Sequence, residues 1–432
     1  MMNKISYLKL SSLIVGLLVL LGACQKTEFM PDPIGEEIPA PVYPSLKDAL
    51  PEQASLFKEA WRKADMDAVL ATEQAQAKLT FLVPNNTAME AAGYTAAAIQ
   101  GADKTTLRKL LRYHLLNGTV GLEQLRLVLG DLSFPTLLQH PKFLDGEIRD
   151  GSLIRTVPYK YMHLLNVKDG KLIVDGKPLA VDKELDVAQG KAILINQFLV
   201  APQQQMYDFL LKDGRFSLYL KAMELNNIEY ENEFMLNMSY GFPVPMRFLL
   251  DWNYYFEGTF HSNEIYPRHI IHMTLFAPTD NAFNQVGIYT EEDLKALNGR
   301  IPTPSYYVRG QSTPIDSLLR YQYIGSAASD IGYNDDYTEF CYVVTSRRFV
   351  GNAMFFSQML DDKLLAVHQR AEEYPVDHRF GHNGSRIKVS HIKSKQQNAT
   401  IIQENINTIQ GPVHVVDQIL VPDDFSMWHK KK

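Results

Sequence analysis

Thr80-Phe81-Leu82-Val83-Pro84-Asn85-Asn86-Thr87-Ala88-Met89 and Thr274-Leu275-Phe276-Ala277-Pro278-Thr279-Asp280-Asn281-Ala282-Phe283 are two versions of one stretch, 194 residues apart. Each is a short apolar run stopped by a proline, followed by Asn or Asp ahead of a small apolar residue. The pattern predicts a buried strand delivered into a helix, with Asn86 and Asp280 placed to accept from unpaired N–H groups at the helix start. Gly93 and Gly287 recur at the same spacing.

Two further matches follow in the same order. Leu110-Leu111-Arg112-Tyr113-His114 corresponds to Leu318-Leu319-Arg320-Tyr321-Gln322, and Gly190 through Val200 to Gly411 through Val421. Leu107, Leu110, Leu111 and His114 stand at helical spacing, and Asn117-Gly118 supplies a stop. The last element is β-rich, as in Val413-His414-Val415-Val416, and ends near Pro202 or Pro422. Between the second and third elements, Val167 to Lys177 carries a hairpin signal centred on Asp169-Gly170. Three ordered matches mark an internal repeat.

The strand–Pro–Thr–Asp–Asn–Ala–Phe element, the Leu-Leu-x-Tyr-His element and the Val-His-Val-Val-Asp closing element together resemble the fasciclin domain. The resemblance implies an α+β chain of two tandem fasciclin-like domains. Each is expected to be a wedge-shaped β-sandwich with helices packed around one edge, at 45–202 and 203–424. The family commonly has His where Gln322 stands; His114 is expected to be structural, so its replacement should leave the fold intact.

The offset between halves grows along the chain. Aligning Ser55-Leu56-Phe57 with Ser217-Leu218-Tyr219 places about 32 extra residues between Ala222 and Thr274. Smaller insertions follow, and the second domain is expected to carry additions at about 226–268, 298–314 and 330–395. Long insertions lie on surfaces and often carry the specific function. From Tyr230 to Tyr266 there are eleven aromatic residues, almost threefold the 11% of the whole chain. Flat rings among Asp251, Asn253 and Asn263 suit sugar rings or a partner protein, or an extra hairpin packed on the parent sandwich. Trp252, Tyr254, Tyr255, Phe256 and Tyr240 are the candidate contact residues.

The N-terminus reads as an address. Lys4 and Lys9 precede the apolar run Leu13–Leu21, too short to span a bilayer but suited to a signal peptide at 1–23. It ends in Leu21-Gly22-Ala23-Cys24, which resembles a bacterial lipobox and implies lipidation of Cys24. Residues 24–44 hold five prolines between Pro31 and Pro44 and are expected to form an extended tether. Residues 425–432 form a basic tail.

Composition narrows the function. Apolar residues make up 46% and charged residues 21%, as in a folded globular chain. The formal charge of -6 argues against nucleic acid as a partner. With Cys24 lipidated, Cys341 has no disulfide partner within the chain. His378-x-x-x-His382 has a spacing zinc uses on a helix, but Gly381, Asn383 and Gly384 break any helix there. His269-x-x-His272 looks like strand alternation. No phosphate loop or Gly-x-Ser-x-Gly elbow is present.

A non-catalytic cell-surface protein for adhesion or ligand binding is therefore expected, with no catalytic residue, metal or cofactor. Its expected partners are a membrane, through Cys24, and an extracellular glycan or protein. A lipobox ahead of two such modules resembles Bacteroidota outer-membrane lipoproteins. The alternative is an accessory subunit of an outer-membrane nutrient-uptake assembly with a TonB-dependent transporter.

Overall fold

The computed structural model describes residues 42–74, 77–128, 130–150, 153–236, 246–251, 268–270, 272–299, 313–325, 354–360, 378–395, 398–423 and 425. Every element below belongs to one compact unit that begins at Pro44.

The first half opens with helices, including Ser55–Lys63 and Met66–Glu73. Strand β1 (Leu79–Pro84) then leads through the helices Asn86–Ala91 and Lys104–Tyr113 to β2 (Leu115–Asn117). A long hairpin of β3 (Leu132–Asp150) and β4 (Leu153–Lys168) follows, then β5 (Lys171–Val174), β6 (Lys177–Leu179), β7 (Val181–Val187) and β8 (Gly190–Ile195). The spatial order is β6-β5-β4-β3-β2-β1-β8-β7. Within it β1 and β8 run parallel while their outer neighbours β2 and β7 are antiparallel to them.

The second half rebuilds that centre. Its strands are β9 (Arg268–His269), β10 (Met273–Pro278), β11 (Tyr323–Gly325), β12 (His378–Asn383), β13 (Arg386–His391), β14 (Ala399–Asn407) and β15 (Pro412–Val416). Their order is β11-β10-β15-β14-β13-β12, with β9 lying instead on β3 of the first half. Again the middle pair is parallel and its outer neighbours antiparallel. The register is also the same: Phe81 faces Ala192, 111 residues on, and Leu275 faces Val413, 138 residues on. Longer insertions in the second half leave the pairing untouched.

Alternation along these strands explains the layers. Leu79, Phe81 and Val83 of β1, with Ala192 and Leu194 of β8, pack on the helical residues Phe57, Trp61, Leu107 and Leu111. Leu82, Ile193 and Ile195 point the other way, onto Leu165, Leu172, Val174 and Leu179. The first half thus has a helix–sheet core and a sheet–sheet core, one on each side of its central strands. The strand path folds over near β2 and β3, which share the one register pair Leu116–Thr136 among the described residues. In the second half Leu275, Val413 and Val415 meet Phe283, Leu318 and Leu319, while Phe276 and Val416 meet Phe380, Ile387, Val389 and Ile401. The architecture is mixed α+β with two sheets, as the sequence implied.

Local readings change in three places. Asn86 and Asp280 do not cap the helices they begin; Asn85 and Thr279, one residue earlier, accept from Ala88 and Ala282 N–H. Asn86 Oδ1 instead accepts from Leu56 N–H at 3.0 Å, and Asp280 Oδ1 from Leu218 N–H at 2.8 Å, at the start of an earlier helix in each half. The cap is tertiary, and it pins the strand exit to the first long helix. Second, the Val167–Lys177 signal contains two turns, since Asp169-Gly170 and Asp175-Gly176 both have the positive φ pairs of two-residue hairpins. Third, Tyr230 and Phe234 lie in the 20-residue helix Ser217–Leu236 and Phe248 in the helix Met246–Leu250, so this part of the insertion is not a hairpin.

Gly190 opens β8 and Gly411 immediately precedes β15, at φ 138° and 141°. A Cβ on either would stand 2.1 Å from a backbone carbonyl, Leu79 O or Met273 O. Gly411→Ala should therefore cost about 2–4 kcal/mol in urea unfolding, since backbone rather than a side chain must move. Asp280→Asn should keep the tertiary cap, as Asn86 does, whereas Asp280→Ala should cost about 1–2 kcal/mol.

Candidate functional site

The buried polar residues of the two halves occupy matching positions, and each can be followed from the strand that positions it. His114 ends the helix Lys104–Tyr113 and is fully buried. Its Nδ1 donates to Leu110 O at 3.0 Å, and its Nε2 accepts from Leu199 N–H at 3.1 Å. This assignment requires the neutral ring. Burial drives the imidazole down to about 4, which favours the same state.

Gln322 takes over both contacts in the second half. Its Nε2 donates to Leu318 O at 2.9 Å and to Leu420 O at 2.8 Å, while its Oε1 accepts from Leu420 N–H at 3.1 Å. Leu318 and Leu420 are the counterparts of Leu110 and Leu199. An amide and a neutral imidazole both offer one donor and one acceptor, so they tie the helix end to the closing segment equally well. His114 is structural, as expected from its replacement.

A second matched pair escaped the sequence reading. His163 on β4 donates Nε2–H to Tyr113 O at 3.1 Å, and His378 on β12 approaches Tyr321 O in the same way at 2.8 Å. Tyr113 and Tyr321 are themselves counterparts. The signal was present as two histidines, but the interval between halves changes along the chain, so no fixed offset aligns them. In the first half Asp175 completes the group: Oδ2 lies 2.7 Å from His163 Nδ1, and Oδ1 accepts from Leu164 N–H at 2.9 Å. Both nitrogens of His163 are thus taken up, one by a carboxyl and one by a backbone carbonyl. His378 Nδ1 has no partner among the described residues, and burial lowers that ring to about 4.

These groups have little chemistry to offer a substrate. His114 and His163 spend both ring nitrogens on neighbours, and both are fully buried. General base catalysis needs a free lone pair within reach of a substrate proton. His378 and His382 sit four apart on a strand, about 13 Å along it, so they do not converge on one ion.

The other concentration of polar contacts is the seam between the halves. β9 joins β3 in parallel, and Ile270 N–H donates to Leu144 O at 2.9 Å. Ile270 and Ile409 pack on Tyr113, Phe143, Tyr159 and Tyr161, while Met354 and Phe356 pack on Leu164. Asn405, in a bulge of β14 at φ 59°, donates to Gly176 O at 3.3 Å. A Cβ at Gly176 would stand 2.7 Å from Asn405 Cγ, so a side chain there would displace Asn405 as well as strain the backbone at φ 77°.

Cys24, Tyr240, Trp252, Tyr254, Tyr255 and Phe256 lie outside the described residues, as does Cys341. Nothing in the geometry above brings them together or separates them.

Residues 52–153 match the family model of the Fasciclin domain. The matched region runs from the turn before the helix Ser55–Lys63 to the start of β4. The second half is tied to the first by repetition: the same order in four strands (β2-β1-β8-β7 and β11-β10-β15-β14), the same register, tertiary cap and closing glycine. Among solved structures, a FAS1 domain pair from the insect cell adhesion molecule fasciclin I is similar at 15% identity, covering 86% of this chain and 99% of that chain, with a TM-score of 0.29. No curated protein matches the chain.

His114→Gln tests the structural role. His114 belongs to the group whose folded pKa lies below the ordinary 6.5, so its neutral-state stability is complete above 6.5 and drains as pH falls towards 4. The variant should stay within about 1 kcal/mol of the wild type at pH 7.5. Its loss of stability between pH 6.5 and 4, followed by urea titration, should be smaller by about 3 kcal/mol.

Proposed function

We propose that the chain is a non-catalytic lipoprotein, anchored through Cys24 to the outer membrane and facing outward, which binds a glycan or protein ligand through its fasciclin-like modules. The observation that carries this reading is the fasciclin match over 52–153, repeated in the second half by register and cap. Fasciclin domains are associated with adhesion. The buried His114, His163 and His378 each bond a backbone carbonyl, which supports a structural use of these rings. The Leu21-Gly22-Ala23-Cys24 sequence supports the anchor, and the proline-rich stretch behind it supports a spacer between lipid and fold. The proposed domain limits remain those of the repeat, 45–202 and 203–424.

Trp252, Tyr254 and Tyr255 are proposed as contact residues because rings flanked by Asp251 and Asn253 offer both stacking faces and hydrogen bonds. Replacing all three with alanine should weaken binding to a polysaccharide array or a captured surface protein by tenfold or more, with the thermal midpoint shifted by only a few degrees. Unchanged binding would remove these residues from the site. Retention of only an outer-membrane transporter in the wild-type capture would move the protein into the assembly class.

A further inference from the structure

Asp131 of the first half and Gln358 of the second meet across the seam. Gln358 Nε2 donates to Asp131 Oδ2 at 2.9 Å. The remaining oxygen of each, Asp131 Oδ1 and Gln358 Oε1, is buried and has no hydrogen-bond partner among the described residues. Two orphan acceptors on one contact pair lack a donor, and buried polar atoms left this way are costly. A proton on Asp131 Oδ1 supplies the donor. After a small rotation of the Gln358 amide, the acid O–H donates to Oε1 while the amide N–H donates back, closing a two-bond ring.

The surroundings favour that form. Gly130, beside Asp131, lies against Met359, whose Cε would be 3.3 Å from a Cβ there. Asn405 accepts from Ser357 N–H at 2.8 Å and so holds the turn that carries Gln358. The ionisable groups facing Asp131 are Asp175, which opposes its charge, and Lys168, which supports it; the nearby Asn166 amide also favours the charged form. Asp175 is already committed to His163. Burial is the largest influence and pushes the Asp131 carboxyl up to about 6.

We propose that Asp131 is a proton-operated latch on the seam: neutral, it closes the first half onto Gln358, and ionised, it loosens the two halves. This inference does not depend on the adhesion reading. Its sign is opposite to that of the histidines. A raised carboxyl penalises the closed seam as pH rises above the ordinary 3.8, and the penalty is complete above about 6. An asparagine at 131 carries a permanent amide donor and should abolish the dependence.

Hydrogen exchange of the full chain in non-ionic detergent, read on a peptide covering 354–360, tests the latch. The wild-type rate divided by that of Asp131→Asn should rise about tenfold between pH 5 and 7.5. A flat or falling ratio overturns the proposal. Should the variant fold poorly, the wild-type Asp131 carboxyl can be titrated by its 13C shift. A midpoint near 6 is expected, and an ordinary value near 4 overturns the proposal.

Discussion

The parallel pairing of the first strand of each half with its last is the constraint on which the rest depends. β1 and β8, or β10 and β15, are separated by more than a hundred residues, yet they lie side by side within their sheets, each pair flanked on both sides by antiparallel strands. Such a contact is entropically expensive to close, and the cost grows only slowly with the length of the intervening chain. That slow growth is why the second half tolerates its additions between the strands. What it cannot tolerate is a side chain at the point of closest approach, where Gly190 and Gly411 run against a carbonyl of the partner strand.

Around that pairing the chain arranges a small set of polar ties, each crossing between elements far apart in sequence. Asn86 and Asp280 hold the strand exit to the first long helix. His114 and Gln322 hold the end of a later helix to the closing segment. The His-to-Gln exchange shows what is being preserved: a donor and an acceptor at fixed separation, not a titratable ring. Where rings are retained, as at His114, His378 and His414, burial favours the neutral form. These residues lend stability at neutral pH and withdraw it in acid, while Asp131 at the seam responds in the opposite direction.

The seam joins a pair of repeated modules into one compact unit from Pro44 onward. It is built from contacts that the repeat does not duplicate: β9 on β3, Met354 and Phe356 against Leu164, and Asn405 against Gly176. A duplicated module carries instructions for its own core, but the contact between copies has to be added. Here Met354 and Phe356 come from a stretch by which the second half exceeds the first, whereas Asn405 lies on β14, which flanks the closing strand as β7 does.

Sequence alone determined the repeat, the strand-to-helix transitions, the hairpin glycines and the α+β class, because strand alternation, helix spacing and turn chemistry are local and leave local patterns. It also pointed to His114 as structural, since a non-titrating residue stands in its place in the second copy. It misplaced the caps by one residue, because Asn85-Asn86 offers two suitable side chains and only the packing of the earlier helix assigns them. The His163 and His378 contacts, the Asp131–Gln358 pair and the seam were decided by tertiary structure. They join residues whose spacing follows no period, and their energy comes from burial that exists only once the two halves have closed on each other.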